Sequence, residues 1–239
     1  MSPDPPPQLT VIVPVYNEEA TLERLLDAVE DRPEVSELVV VDDASTDRTP
    51  QILAERRFRL PARLIRHPEN RGKGQAVRSG LSAATGELAL IQDADLEYDP
   101  ADYPALLAPF ARPGVTVVYG TRSFGGHSAY SFWFVVGNRV LTLWTNLLFN
   151  TYITDMETCF KVMPVRLWRE LDLRSDRFGI EPEVTAKLLR RGHRIFEVPI
   201  SYAARSRAEG KKLTALDGLK AAVVVACIRL GRDGRGPRG

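Results

Sequence analysis

Two short acidic turns are the parts of this 239-residue chain best suited to chemistry. Asp93-Ala94-Asp95 follows the apolar run Leu88 to Gln92. Two carboxylates one residue apart in a tight turn can share a hard divalent cation whose octahedron is completed by phosphate oxygens. Without a counter-ion they would repel each other. The plainer use of the same residues is capping beside the Tyr98-Asp99-Pro100 turn. Asp42-Asp43-Ala44-Ser45 closes another apolar run in the same manner. Its acids can accept hydrogen bonds from a base N–H or from ribose hydroxyls. Alternatively, Ser45, Thr46 or Asp47 caps the helix that follows.

Several other chemistries are excluded. Arg71-Gly72-Lys73-Gly74 resembles a phosphate loop but lacks the full P-loop signature, and no G-x-G-x-x-G follows the first apolar run. Its glycines are better read as a tight entry into a helix near Gln75, beside a ligand. His67, His127 and His193 are scattered, with no H-E-x-x-H pattern and no nucleophile elbow around a serine. Cys159 and Cys227 lie far apart in apolar surroundings, which fits a reducing, cytoplasmic setting. The net charge is +1, which argues against a nucleic-acid binder. That balance is uneven: residues 186–239 hold thirteen Lys and Arg against four Asp and Glu, so the first 185 residues are net negative. An acidic front that holds a cation and a basic back that meets an anion are the expectation.

The elements that must position these residues follow from periodicity. Apolar runs at Leu9 to Val15, Leu38 to Val41, Arg63 to Arg66, Leu88 to Gln92, Val115 to Tyr119, Cys159 to Met163 and Ile195 to Val198 read as strands. Helical spacing appears over Ala20 to Glu30, to about Arg57, over Gln75 to Ala84, Pro164 to Leu171, Pro182 to Arg191 and Leu213 to Leu230. Strands alternating with helices predict a mostly parallel central sheet with helices on both faces. Residues 9–230 form one α/β domain between a disordered lead, 1–8, and a disordered basic tail, 231–239. The proline-rich lead is no signal peptide. No apolar run reaches the roughly 18 residues of a spanning helix. Ala129 to Tyr152 comes nearest, but it carries Asn138, Arg139, Asn146 and Asn150.

Taken in order, VIVPVYNEE (Val11 to Glu19), VDDASTDRT (Val41 to Thr49), NRGKGQAVRSG (Asn70 to Gly80), QDADLEYDP (Gln92 to Pro100) and Gly120-Thr121-Arg122 resemble the family-two inverting glycosyltransferases. The nearer resemblance is to the dolichol-phosphate mannose synthase and bacterial polyprenyl-phosphate glycosyltransferase branch. Each motif is weak singly, and five in order over nearly the whole chain are specific. The resemblance implies the nucleotide-sugar GT-A fold and a metal-dependent transfer of mannose or glucose from GDP-mannose or UDP-glucose to a polyprenyl phosphate. It also implies Mg²⁺ or Mn²⁺. The same fold acting on a soluble or polysaccharide acceptor, and a non-catalytic sugar-nucleotide binder, stay open.

By the same resemblance Pro14, Tyr16, Glu18, Val41, Asp43, Asp93 and Ala94 hold the nucleotide. Asp95, with Glu97 in place of a frequent Gln and with Asp93 beside it, holds the metal. Arg122 meets phosphate, and Arg205 with Lys211 or Lys212 in the basic stretch Ile200 to Leu213 contacts the donor. Among the free carboxylates Asp155, Glu181 and Glu183, Asp155 is preferred for orienting acceptor or donor, while Glu181-Pro182-Glu183 also reads as a helix start. A lipid phosphate is already ionised and needs no general base. The aromatics Phe132, Trp133, Phe134, Trp144 and Phe149 make 129–152 a candidate membrane-interface helix, with Arg139 toward the acceptor phosphate. A core helix or a contact between copies is the alternative. Attachment would then be peripheral, at the cytoplasmic face, or through a separate membrane partner. Thr154-Asp155-Met156-Glu157-Thr158 departs from the T-D-P pattern of mannose synthases and leaves the sugar undetermined.

Overall fold

The computed structural model describes residues 8–123, 132–176, 179–204 and 215–231. The chain runs β1 (Leu9–Val15), α1 (Leu22–Glu30), β2 (Val35–Asp42), α2 (Thr49–Glu55), β3 (Ala62–Arg66), α3 (Lys73–Ala83) and β4 (Leu88–Ile91). Next come α4 (Tyr103–Leu107), β5 (Val118–Thr121), α5 (Phe132–Phe149), β6 (Lys161–Pro164), α6 (Val165–Glu170), α7 (Ile180–Arg190), β7 (Phe196–Pro199) and α8 (Ala215–Arg229). The seven strands form one sheet in the order β3-β2-β1-β4-β6-β5-β7. β1, β2, β3 and β4 are mutually parallel, while β6 runs antiparallel to both of its neighbours. The expected α/β architecture, mostly parallel with a covered sheet, is what the chain adopts.

Burial explains the strand sequences. Every residue of β1 is buried, as a strand covered on both faces requires, so it reads as a continuous apolar run. Gly80 lets α3 lie flat on β1, since a Cβ there would stand 2.4 Å from Ile12 Cγ2. β2 begins at Val35, three residues before the expected start. Its early residues include Glu37, whose charge hides a strand from an apolar count; the carboxylate is satisfied by Thr10, Thr85 and Arg63. β5 begins at Val118, later than expected. A second, smaller core (Leu141, Ile153, Met156, Ala186, Ala221, Val225 and Ile228) joins α5, α7 and α8 beside the sheet.

Candidate functional site

Topology gathers the acidic turns at one edge. β1 lies between β2 and β4, so Tyr16-Asn17-Glu18, Asp42-Asp43 and Asp93-Ala94-Asp95 leave adjacent parallel strands on the same side. Because β6 is antiparallel to β4 and to β5, its start, and with it residues 154–160, comes to that edge, as does the end of β5 at Thr121-Arg122. The Cys159 thiol donating to Ile91 O at 3.4 Å marks the join. Three non-glycine residues sit here in the left-handed region: Asn17 (φ 56°), Ala44 (φ 61°) and Leu96 (φ 59°). Such residues cost roughly 1–2 kcal/mol each, and one stands in each of the three turns. Strain of this kind collects where backbone direction serves a site.

Asp43 organises the first half of the crevice. Its carboxylate accepts from Arg71 N at 2.9 Å, Gly72 N at 2.7 Å and His67 Nδ1 at 2.7 Å. The other ring nitrogen of His67 takes the Ser79 hydroxyl at 2.9 Å. Gly72 turns at φ 86°, and a Cβ on Gly74 would strike Ser175 O at 1.9 Å, so both glycines are needed for the helix entry. α3 accordingly starts at Lys73, and its first side chain points across the crevice. The Lys73 ammonium sits 2.7 Å from Asp93 and 2.7 Å from Glu181. Burial opposes that charge, but Asp93 and Glu181 outweigh it and hold the ammonium well above the usual lysine range.

The second half centres on Arg122 and Asp155. Their side chains form a two-pronged ion pair at 2.6 and 2.7 Å, and Arg122 N–H and Asn138 also donate to the same carboxylate. Burial would raise the Asp155 carboxyl, yet Arg122 beside it brings it below the ordinary range. The guanidinium lies 5.0 Å over the Tyr202 ring. Tyr202 in turn donates to Glu97 at 2.6 Å, and Ala203 N–H donates to Glu97 O, so residues 201–204 close on the Asp95-Leu96-Glu97 turn. Glu157, two residues beyond Asp155, has its carboxyl pushed up to about 8 by burial and by the charge of Glu181.

The carboxylates suit a divalent cation in part. Asp95 and Glu97 offer hard oxygens from a single turn, while Asp93 is engaged by Lys73. Among the described residues no three His, Cys, Asp or Glu gather as a metal cage. A half-site of one or two carboxylates fits Mg²⁺-like ions, which take the rest of their ligands from phosphates and water.

The sequence-level candidates therefore fall into groups. Tyr16, Glu18, Asp43, Asp93, Asp95, Glu97, Arg122 and Asp155 share one edge. Ala94 is buried there, while Pro14 and Val41 are register partners inside the sheet. Arg139 is exposed on α5 and lines a groove of about 250 Å³ with Ser123, Asn146, Tyr152 and Thr154. Arg205, Lys211 and Lys212 lie outside the described residues. Lys73 and His67 were assigned no role at this edge from sequence. The NRGKG loop was the available signal for Lys73, whereas nothing local marks His67 as the partner of an acid 24 residues away.

Residues 10–167 match the family described as Glycosyl transferase family 2. The low-salt glycan biosynthesis hexosyltransferase Agl6 of Haloferax volcanii is 29% identical over 206 residues, covering 83% of this chain and 48% of that protein. The dolichol-phosphate mannosyltransferase of Pyrococcus furiosus is 27% identical over 216 residues, covering 85% of this chain and 59% of that protein. The chain thus spans only about half the length of these curated relatives. Glucosyl-3-phosphoglycerate synthase from Mycobacterium tuberculosis, solved with UDP, superposes with a TM-score of 0.70 at 22% identity over 95% of this chain and 80% of that one. That likeness establishes the GT-A fold.

Proposed function

The chain belongs to glycosyl transferase family 2, and from that membership we propose that it moves a hexose from a nucleoside-diphosphate sugar to a polyprenyl phosphate at a membrane surface. One observation carries the choice of a lipid acceptor. On α5 the large apolar residues Trp133, Val140, Leu143, Trp144 and Leu147 are exposed around Arg139, and α8 adds Leu216, Leu219 and Val223. The groove beside Arg139 runs to Ser123 and Thr154, next to the Arg122–Asp155 pair. An apolar surface that carries the cations Arg139 and Lys220 and leads to the crevice suits an anionic headgroup on an apolar tail. No described helix is long and apolar enough to cross a membrane. The names of the Pyrococcus relative and of the Rhizobium johnstonii dodecaprenyl-phosphate galacturonate synthase support the same acceptor class.

In this reading Asp43 and the Arg71-Gly72 turn receive the nucleoside, with Tyr16 and Glu18 on its open side. Asp95 and Glu97 hold Mg²⁺ or Mn²⁺, in keeping with the Mn²⁺ and UDP-glucose complex of the mycobacterial enzyme. The metal supplies positive charge where the leaving diphosphate becomes more negative. Arg122, held by Asp155, faces the same diphosphate, the sequence resemblance adds Arg205 and Lys211 or Lys212 as donor contacts, and Arg139 orients the acceptor phosphate. That phosphate attacks the anomeric carbon as an anion, so no proton has to be removed from it.

The test offers GDP-mannose, UDP-glucose and their epimers with Mn²⁺, with and without polyprenyl phosphate, and follows sugar into the lipid phase. Lipid-linked sugar is the expected product. Transfer only to a water-soluble acceptor would replace the lipid in this reading and leave the fold and donor class in place.

A further inference from the structure

The proposed reaction uses the basic stretch from Ile200 only for its cations, yet its one aromatic residue, Tyr202, is built into the acidic edge. Several contacts pin it there. Ile200 N–H donates to Thr121 O at 3.1 Å, where β5 ends, and Ser201 N–H donates to Asp102 at 2.8 Å. Tyr202 then pairs with Tyr98 as a single antiparallel bridge, their rings edge to face at 5.3 Å, and Ala203 N–H donates to Glu97 O at 2.9 Å. With 4% of its surface exposed, Tyr202 cannot reach a substrate itself. Its hydroxyl and its ring, however, each meet a residue assigned to the leaving diphosphate or its cation.

The hydroxyl donates to Glu97 Oε2 at 2.6 Å, the short distance of a hydrogen bond to a charged oxygen. An ionised carboxylate only accepts and has about four lone-pair sites, so one phenol fixes its direction without exhausting its capacity for a cation. Asp95 is fixed differently, accepting from Glu97 N–H at 3.1 Å within its own turn. Both carboxylates are partly exposed. Glu97 has the longer side chain and follows Leu96, which sits at φ 59°, so it is the ligand that needs support from outside the turn. Ordering such a side chain on binding costs entropy unless a neighbour has ordered it beforehand. On the other side, the Arg122 guanidinium lies 5.0 Å over the Tyr202 ring and is gripped by Asp155 at 2.6 and 2.7 Å.

We propose that Tyr202 is a positioning residue for the cation: its hydroxyl aims Glu97 at the metal while its ring carries Arg122, so that both positive charges meet the diphosphate in fixed register. This rests on the metal-dependent donor reading above and adds to it the group that orients one of the ligands. Partners that orient a metal's ligands are typically worth ten- to a hundredfold in metal affinity.

The experiment reads metal affinity and does not depend on transfer. Mn²⁺ is titrated by calorimetry into the full chain saturated with UDP or GDP, against the same titration into nucleotide alone. The proteins are wild type, Asp95→Asn, Glu97→Ala, Glu97→Gln, Tyr202→Phe, and Tyr202→Phe combined with Glu97→Ala. Tyr202→Phe keeps the ring and loses only the hydroxyl, so it should weaken Mn²⁺ binding about ten- to a hundredfold, while UDP or GDP binding in EDTA stays within about twofold. Added to Glu97→Ala it should cause no further loss, because it acts through that carboxylate. Glu97→Gln retains an oxygen that accepts the same O–H; it should lose less than Glu97→Ala, and it reports on the pair even if Tyr202→Phe fails to fold. Unchanged Mn²⁺ affinity in Tyr202→Phe, an additive loss in the double variant, equal losses in Glu97→Gln and Glu97→Ala, or a matching loss of nucleotide binding in EDTA overturns the role of Tyr202. The metal reading survives any of these as long as Asp95→Asn weakens Mn²⁺ binding. A wild type that takes up no Mn²⁺, or an Asp95→Asn protein that binds it as wild type does, overturns both.

Discussion

The crevice edge and the α5–α8 pair are built on opposite rules. At the edge, charged groups are buried and each is met by specific partners: Arg122 with Asp155, Lys73 with Asp93 and Glu181, Asp43 with His67 and two backbone N–H groups. On the helical pair, large apolar side chains face outward, Trp133 at 77% exposure and Leu147 at 70%. The buried side of that pair is only a small cluster around Leu141, Met156 and Val225. The first region is densely paired and sensitive to any lost partner. The second has apolar surface left over, which is what a surface that meets lipid or another protein requires. Substitutions should therefore damage the fold in one place and association in the other.

The largest effect is expected from breaking a buried pair. Asp155→Ala strands the Arg122 guanidinium and should cost about 3–5 kcal/mol in urea unfolding. A loss under about 1 kcal/mol would mean that the pair is solvated and the two regions are less different than described.

Next comes a pH effect of a few kcal/mol at the same edge. Glu157 binds its proton more tightly in the folded chain, near pH 8, than the ordinary value of 4.5 for the unfolded one. The groups facing it are Glu181 of α7, Lys161 of β6, and Arg122 and Asp155. Folding then releases stability as pH rises: the thermal midpoint should fall between about pH 5 and pH 8, and Glu157→Gln should flatten that slope. Asp155 has the opposite sign, its contribution being present above pH 3.8 and lost as pH falls through its lowered value.

Asp95→Asn should lower transfer about a hundredfold, near 2.7 kcal/mol, and leave unfolding unchanged. Full turnover in excess EDTA would remove the metal from the proposal. The smallest effect belongs to the helical pair. Trp133→Ala with Leu147→Ala should weaken binding to polyprenyl-phosphate vesicles about tenfold, with donor binding and thermal midpoint unaltered, since neither side chain is part of a core. If those substitutions destabilise the chain instead, the exposed face is covered by a second copy in solution, and the oligomeric state of the wild type will show it.

Much of the fold was legible in the order of residues. Local signals sufficed for the strand β1, whose burial on both faces makes it an unbroken apolar run, and for the three acidic turns, whose residues lie together in the chain. They also sufficed for the glycine entry to α3. Less was legible where a strand carries a satisfied charge, as Glu37 does in β2, or where an element's neighbour lies far off in sequence. Asp155 stood out as a candidate, but its role as the buried partner of Arg122 needed both β5 and α5 in place.

By itself, then, the sequence determined which residue types reach the carboxyl ends of the strands, because periodicity and turn chemistry act over a few neighbours. Tertiary structure alone decided who pairs with whom. The antiparallel entry of β6 between β4 and β5 brings residues 154–160 to the acidic edge. There Lys73 spans from Asp93 to Glu181, and Glu157 is left with a buried, unmatched oxygen. Pairing between buried charges falls off over a few ångströms, and sequence separation carries no record of such distances.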